Sequence, residues 1–154
     1  ENPEFSDDTV MTIAICDGIL SAGLNSDEAK MKKAMIESMH KWGNDYLAAG
    51  YGGTFYHWLI AKSYEPYNSF GNGSAMRVSS IGWFFETLER TREVARWSAE
   101  VTHNHPEGIK GAESVASVIW LCRKGKSKDE IKKLKDNLHK KNSGKIMECM
   151  EFIE

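Results

Sequence analysis

The chain has 154 residues, 20 Lys+Arg against 22 Asp+Glu, 3 Cys and 41% hydrophobic residues. That length fits one domain, 1–154, able to bury roughly 68–70% of the surface its unfolded chain exposes, so folding needs no disulfide or metal staple. A formal charge of −2 excludes the electrostatic footprint of a general nucleic-acid binder, and no run approaches the roughly 18 apolar residues of a transmembrane helix.

Helical periodicity dominates, and no stretch alternates with period two. Thr9 to Leu20 places Val10, Ile13, Ala14 and Leu20 at helical spacing, which predicts a largely buried helix. Asn25-Ser26-Asp27-Glu28 starts the next, with Ser26 the expected N-cap. Met31, Met35, Met39, Trp42 and Tyr46 recur at helical spacing along it and read as a core face. Ala49-Gly50-Tyr51-Gly52-Gly53-Thr54 ends that helix in a glycine-rich connection, and Phe55 to Ala61 is a short apolar helix. Tyr64 to Gly73 carries Pro66, Asn68, Gly71 and Gly73, the chemistry of a loop. A helix is predicted from Ser74 to Thr91, weakened at Gly82, and another from Arg92 to Thr102. Pro106 disfavours helix at His105, so Thr102 to Gly108 is a break before helix resumes from Ile109 to Cys122. Ser127-Lys128-Asp129-Glu130 is a capping box ahead of a lysine-rich helix that Asn142-Ser143-Gly144 stops. The reading is an all-α domain of about seven helices with no sheet. Cys16, Cys122 and Cys149 are widely spaced and odd in number. They read as free thiols of a reducing compartment, which gives a cytoplasmic expectation, and no secretory signal pattern is visible.

Three local signals carry chemistry. Ser6-Asp7-Asp8-Thr9 precedes a buried helix. Its oxygens either cap the helix or ligate a hard cation such as Mg²⁺, which accepts one or two carboxylates plus hydroxyls and waters. Ser69-Phe70-Gly71-Asn72-Gly73-Ser74-Ala75-Met76-Arg77 is either a plain tight turn or a loop whose amides and following helix end receive a phosphate, with Arg77 one turn in. Thr102-His103-Asn104-His105-Pro106-Glu107-Gly108 is either surface turn chemistry or a polar ligand-gripping loop. His40 and His57 lie in helical stretches and read as structural.

In this order and with these separations, the signals resemble the ADP-ribosylglycohydrolase family, which includes the dinitrogenase-reductase-activating glycohydrolases and the eukaryotic ADP-ribosyl-acceptor hydrolases. The residues that carry the resemblance are Ser6-Asp7-Asp8-Thr9, Gly50-Tyr51-Gly52-Gly53, the block from Tyr67 to Val78, and the block from Ala99 to Gly108. The resemblance runs from Phe5 to Lys128. It implies a compact orthogonal all-α fold and hydrolysis of the bond at C1″ of the distal ribose of an ADP-ribosyl group. It implies two divalent ions, Mg²⁺ or Mn²⁺, that hold the ribose hydroxyls and activate water. It places Ser6, Asp7 and Asp8 where the family has Thr-Asp-Asp metal ligands, so that Asp7 and Asp8 are the catalytic carboxylates. It places Gly71, Asn72, Gly73, Ser74 and Met76 on the ADP-ribose pocket, Tyr51 and Gly52 against the ligand, and His103 at ribose or phosphate. Arg77 would brace the loop from behind.

Ser6 stands where Thr is usual and keeps the hydroxyl. The family's N-terminal Gly-Asp-type segment, with its acidic residue near the reacting centre, and its C-terminal Asp-x-Asp-Thr motif, which supplies the other half of the metal site, do not occur in this sequence. The expectation is a family-like core over 5–128, truncated at both ends, with a divergent helical tail over 129–154. Such a chain alone is expected to bind metal weakly and turn over poorly. Its expected partner is ADP-ribose or an ADP-ribosylated substrate, with no membrane partner. Self-association is expected through core faces left uncovered. The competing readings are a module that binds ADP-ribose without cleaving it and a structural derivative.

Overall fold

The computed structural model describes residues 5–133. The stop at Asn142-Ser143-Gly144, Cys149 and the rest of the tail expected past Lys133 lie outside the described residues. Among these residues there is no strand, and the expected all-α class holds. The helices are α1 (Asp7–Ala22), α2 (Glu28–Asp45), α3 (Gly53–Ile60), α4 (Gly73–Met76), α5 (Ser79–Phe84), α6 (Leu88–Glu100) and α7 (Pro106–Arg123). A helical run over 128–133 follows behind the capping box. There Ser127 N donates to Glu130 Oε2 at 2.9 Å and Glu130 N donates to Ser127 Oγ at 3.3 Å. No helix among the described residues is long and apolar enough to cross a membrane.

The core is built on the α1–α2 pair, with α6 and α7 forming a second pair and α4 and α5 lying against α7. The methionines of the stripe do what their spacing predicts, whereas Tyr46 at its end is 38% exposed and off the core face. Met31, Met35 and Met39 are fully buried, each worth about 1.5–3 kcal/mol over an exposed position. Trp42 is half-buried and donates its indole N–H to Asp17 Oδ2 at 2.8 Å. At Gly18 the helices meet backbone to backbone, since a Cβ there would lie 2.8 Å from Met35 Cα. His40 is packed on Trp58 at 4.4 Å between ring centres, and the exposed His57 pairs with Gly53 O, so neither joins the motifs.

Three boundaries differ from expectation. The helix predicted from Ser74 to Thr91 is cut into α4, α5 and the start of α6. Phe85 is extended (φ −102, ψ 147), and its carbonyl accepts from Trp120 Nε1 at 3.0 Å and Arg123 Nη2 at 2.7 Å. Tertiary hydrogen bonds thus replace helical ones, and Thr87 Oγ1 restarts the helix by accepting from Arg90 N at 3.2 Å. The cap of α2 is Asp27, whose Oδ1 accepts from Lys30 N at 2.9 Å, while Ser26 Oγ donates back to Ala22 O. The last break is shorter than expected, because Pro106 sits at the first position of α7, where its missing N–H is harmless.

Candidate functional site

The three sequence motifs meet at one half-open cleft of about 240 Å³. Asp7 enters from the first turn of α1, Gly52 from the turn before α3, Ser69, Gly71 and Asn72 from the loop before α4, and Gly73 from the start of α4. Met11, Met76, Arg77 and His103 form part of the wall. Specific bonds hold the pieces together. Asp7 N donates to Ala49 O at 2.8 Å, which sets the start of α1 against the glycine-rich connection. Thr12 Oγ1 donates to Met76 O at 3.3 Å and so ties α1 to α4. The loop is pinned to the break before α7 by Tyr67 N donating to Thr102 O at 3.2 Å and Asn68 N donating to Asn104 Oδ1 at 2.8 Å. Asn68 has φ +54, a left-handed conformation that Asn tolerates and most side chains do not. Ser69 Oγ then accepts from Gly71 N at 3.2 Å and turns the loop toward α4.

Behind the loop lies a fully buried cation. Arg77 is 1% exposed, and its Nη2 donates both to Ser98 O and to Thr102 Oγ1, the latter at 2.8 Å. Both partners are neutral oxygens. Burial therefore pulls the guanidinium pKa down to about 10, with the Tyr67 phenol opposing the drop. Thr102 Oγ1 also lies 2.8 Å from His103 Nδ1. Burial first, and the Arg77 charge second, push His103 down to about 4, so its imidazole is neutral at physiological pH.

The structure sorts the sequence-level candidates. Asp7, Gly52, Gly71, Asn72, Gly73, Met76 and His103 line the cleft. Asp8 is exposed and outside its lining. Ser6 sits at the N-cap of α1 but makes no side-chain capping bond, so the capping alternative does not consume its hydroxyl. Tyr51 stands one layer back. Its ring meets Phe55 edge-on at 5.4 Å, and its buried hydroxyl has no hydrogen-bond partner among the described residues. Burial, helped by the Asp7 charge, pushes that phenol up to about 12. Ser74 is also behind the wall, fully buried, with Oγ donating to Gly108 O at 2.7 Å. It fastens α4 to α7.

Some residues of the site carried no assigned role in the sequence reading. Thr54, Phe55, Tyr67 and Ser69 also line the cleft. Tyr67 and Ser69 lay inside the motif blocks, whereas Thr54 and Phe55 carried no signal of their own. Gly108 is the informative omission. A Cβ there would lie 2.9 Å from both His103 O and Ser69 O, so only glycine lets α7, the loop and His103 converge. In the sequence Gly108 falls in the expected break, where a glycine is ordinary; reading Pro106 as the first helical residue, which puts Gly108 in the first turn where Ala is preferred, was the available signal.

Among the described residues no group of three or more His, Cys, Asp and Glu is arranged to hold a metal ion. Ser6, Asp7 and Asp8 still offer one hydroxyl and two carboxylates in sequence at the start of α1. These are hard oxygen donors of the kind a dication takes on one side, with waters on the others. A larger groove of about 470 Å³ lies between Glu37, His40, Lys62 and Tyr64. It is a shallow surface of mixed charge and contains none of the motif residues, so the smaller cleft is the better candidate.

The sequence matches the ADP-ribosylglycohydrolase family over residues 2–153. The chain belongs to that family. The matched span runs past both ends of the 5–128 stretch that the motifs alone mark out. Among characterised proteins the chain is similar to ADP-ribosylhydrolase ARH3 of Mus musculus, with 32% identity over 136 residues, 82% of this chain and 36% of the relative. The Homo sapiens protein of that name is 30% identical over 82% of this chain and 37% of its own length. The Danio rerio protein is 27% identical over 97% of this chain and 45% of its own length. The chain thus spans between about a third and a half of the relatives it matches.

Proposed function

We propose that the cleft holds an ADP-ribosyl group and that the protein hydrolyses its linkage to an acceptor at C1″ of the distal ribose. The observation that carries this reading is the convergence of three separated motifs on one cleft in an ADP-ribosylglycohydrolase family member. Relatives named ADP-ribosylhydrolase support it.

The residues divide the work by position. Gly71 and Gly73 have no Cβ, so a diphosphate can approach the loop backbone closely. The helix after the loop is only four residues long, Gly73–Met76, so its macrodipole adds little. The attraction comes instead from the loop amides and from Arg77, a buried cation whose hydrogen bonds go to neutral oxygens. His103 offers a neutral ring nitrogen at the same place. Asp7 faces the ligand from α1. Ser6, Asp7 and Asp8 would hold Mg²⁺ or Mn²⁺, which supplies Lewis acidity and a water of lowered pKa when bound. The cleft is smaller than the ~300–1,000 Å³ of complete small-molecule pockets. It would hold part of an ADP-ribosyl group, and other segments of a longer protein or a partner would close over the rest.

Calorimetric titration of ADP-ribose into the chain tests this, in about 5–10 mM Mg²⁺ to fill weak hard-cation sites and again in EDTA. Binding that weakens in EDTA is expected, together with hydrolysis of ADP-ribosylated protein once the metal site is complete. Equal binding in both conditions would favour the binding module without cleavage. No binding in either would contradict the assignment of the cleft.

A further inference from the structure

We infer that Arg77 and Thr102 are positioning residues that fix His103 as a neutral imidazole with its proton on Nε2, so that it faces the glycine loop as a hydrogen-bond donor and not as an acid–base group. The identity of the ligand that receives this donor rests on the proposed ADP-ribose reading; the tautomer does not.

The assignment follows from counting protons. A guanidinium has donors and no acceptor. Arg77 Nη2 carries two hydrogens, one directed at Ser98 O and the other at Thr102 Oγ1, 2.8 Å away. Thr102 Oγ1 therefore accepts from Arg77 and keeps its own proton to give. The residue is fully buried, and the acceptor in reach is His103 Nδ1 at 2.8 Å. If Nδ1 carried the imidazole proton instead, two donors would point at one hydroxyl oxygen and the hydroxyl proton would be left over in the interior, an arrangement proteins avoid. The relay Arg77 to Thr102 to His103 Nδ1 leaves the proton on Nε2.

Nε2 is the ring atom that faces the site. It lies 2.9 Å from where a Cβ on Gly73 would stand, and 4.0 Å from where one on Gly71 would stand. Tyr67 packs across the ring at 5.8 Å between centres and keeps it in that orientation. The burial of His103, 5% exposed, and then the Arg77 charge favour the neutral ring, in line with its lowered pKa. A second-layer partner that decides which nitrogen of a histidine carries the proton decides what the histidine can do.

Nitrogen-15 NMR of the histidine rings in the ligand-free chain at neutral pH reads the tautomer directly. Long-range proton–nitrogen correlations should show His103 protonated on Nε2 and bare on Nδ1. Thr102→Ser keeps the hydroxyl and should keep this pattern. Thr102→Asp replaces the hydroxyl by an acceptor that pairs with Arg77, so it should move the proton to Nδ1 and weaken ADP-ribose binding about tenfold, the loss of one hydrogen bond. A wild-type ring protonated on Nδ1 or on both nitrogens would overturn the inference, as would a folded Thr102→Asp protein with the wild-type pattern. Should Thr102→Asp not fold, the wild-type and Thr102→Ser spectra decide. A wild-type chain that shows the expected tautomer and binds no ADP-ribose would leave the relay standing and remove the proposed function.

Discussion

Replacing Gly108 by alanine separates local preference from tertiary demand. In the first turn of α7 an alanine should stabilise an unconstrained helix by up to about 1 kcal/mol. Here the new Cβ would stand 2.9 Å from His103 O, 2.9 Å from Ser69 O and 3.0 Å from His103 Cβ. Ordinary carbon–oxygen contacts lie at about 3.3–3.6 Å, so two backbone carbonyls must each retreat by roughly half an ångström. Overpacking of this kind costs about 1–3 kcal/mol, and backbone on two sides puts Gly108→Ala in the upper half of that range. Subtracting the helix gain leaves a net loss of about 1–2 kcal/mol, or a melting point lower by about 2–8 °C for a chain of this size. Gly53→Ala is the control. It too lies in the first turn of a helix, nothing stands within 4 Å of its added Cβ, and a gain of about 0.4–1 kcal/mol is expected. Thermal unfolding followed by circular dichroism measures both. A Gly108→Ala protein that melts at or above the wild-type temperature would refute the claim that this glycine is what lets loop, histidine and helix meet.

Gly73→Ala is expected to act on binding more than on stability, because its Cβ meets only the His103 ring, at 2.9 Å from Nε2; titration calorimetry should show ADP-ribose affinity reduced about tenfold while the melting point stays within a few degrees. Asp7→Asn should remove the metal-dependent part of that affinity and Asp8→Asn less of it, since Asp7 alone of the two lines the cleft; equal effects measured with and without EDTA would contradict the placement. Folding stability should be full above pH 6.5 and fall toward pH 4, because the unfolded chain takes up a proton at the ordinary 6.5 while His103 in the fold resists it to about 4. His40, also lowered by burial, adds slope of the same sign, so the His103 share is the difference between wild type and His103→Gln in denaturant unfolding, up to about 1.4 kcal/mol per pH unit; identical slopes would show that His103 titrates normally.

The all-α class and the motif positions were legible in the sequence because they rest on local rules. The Met31-Met35-Met39 spacing, the capping box at Ser127 and the loop chemistry from Pro66 to Gly73 need no knowledge of neighbours. The split of the expected Ser74–Thr91 helix was not legible, because it depends on Phe85 O finding donors in Trp120 and Arg123, more than thirty residues away. Much the same holds at the site. The residue types of Asp7, the 71–73 loop and His103 left a cap, a plain turn and a surface turn open; the family resemblance singled these residues out, and they do share a cleft. That Ser74 and Tyr51 stand behind its wall is decided by burial that only the packed chain defines. The partners of Arg77 come from α6 and the break after it, so neither the buried cation nor its effect on His103 has a local signature.

Amide chemical-shift mapping of the nitrogen-15-labelled chain during an ADP-ribose titration with Mg²⁺ tests the central claim most directly, since it reports where the ligand sits. The largest shifts are expected at Gly52, at the 69–73 loop and at His103, with smaller ones at Asp7 and its neighbours. Shifts concentrated around Glu37, His40 and Lys62, or none at all, would contradict the claim that the three motifs form an ADP-ribose site.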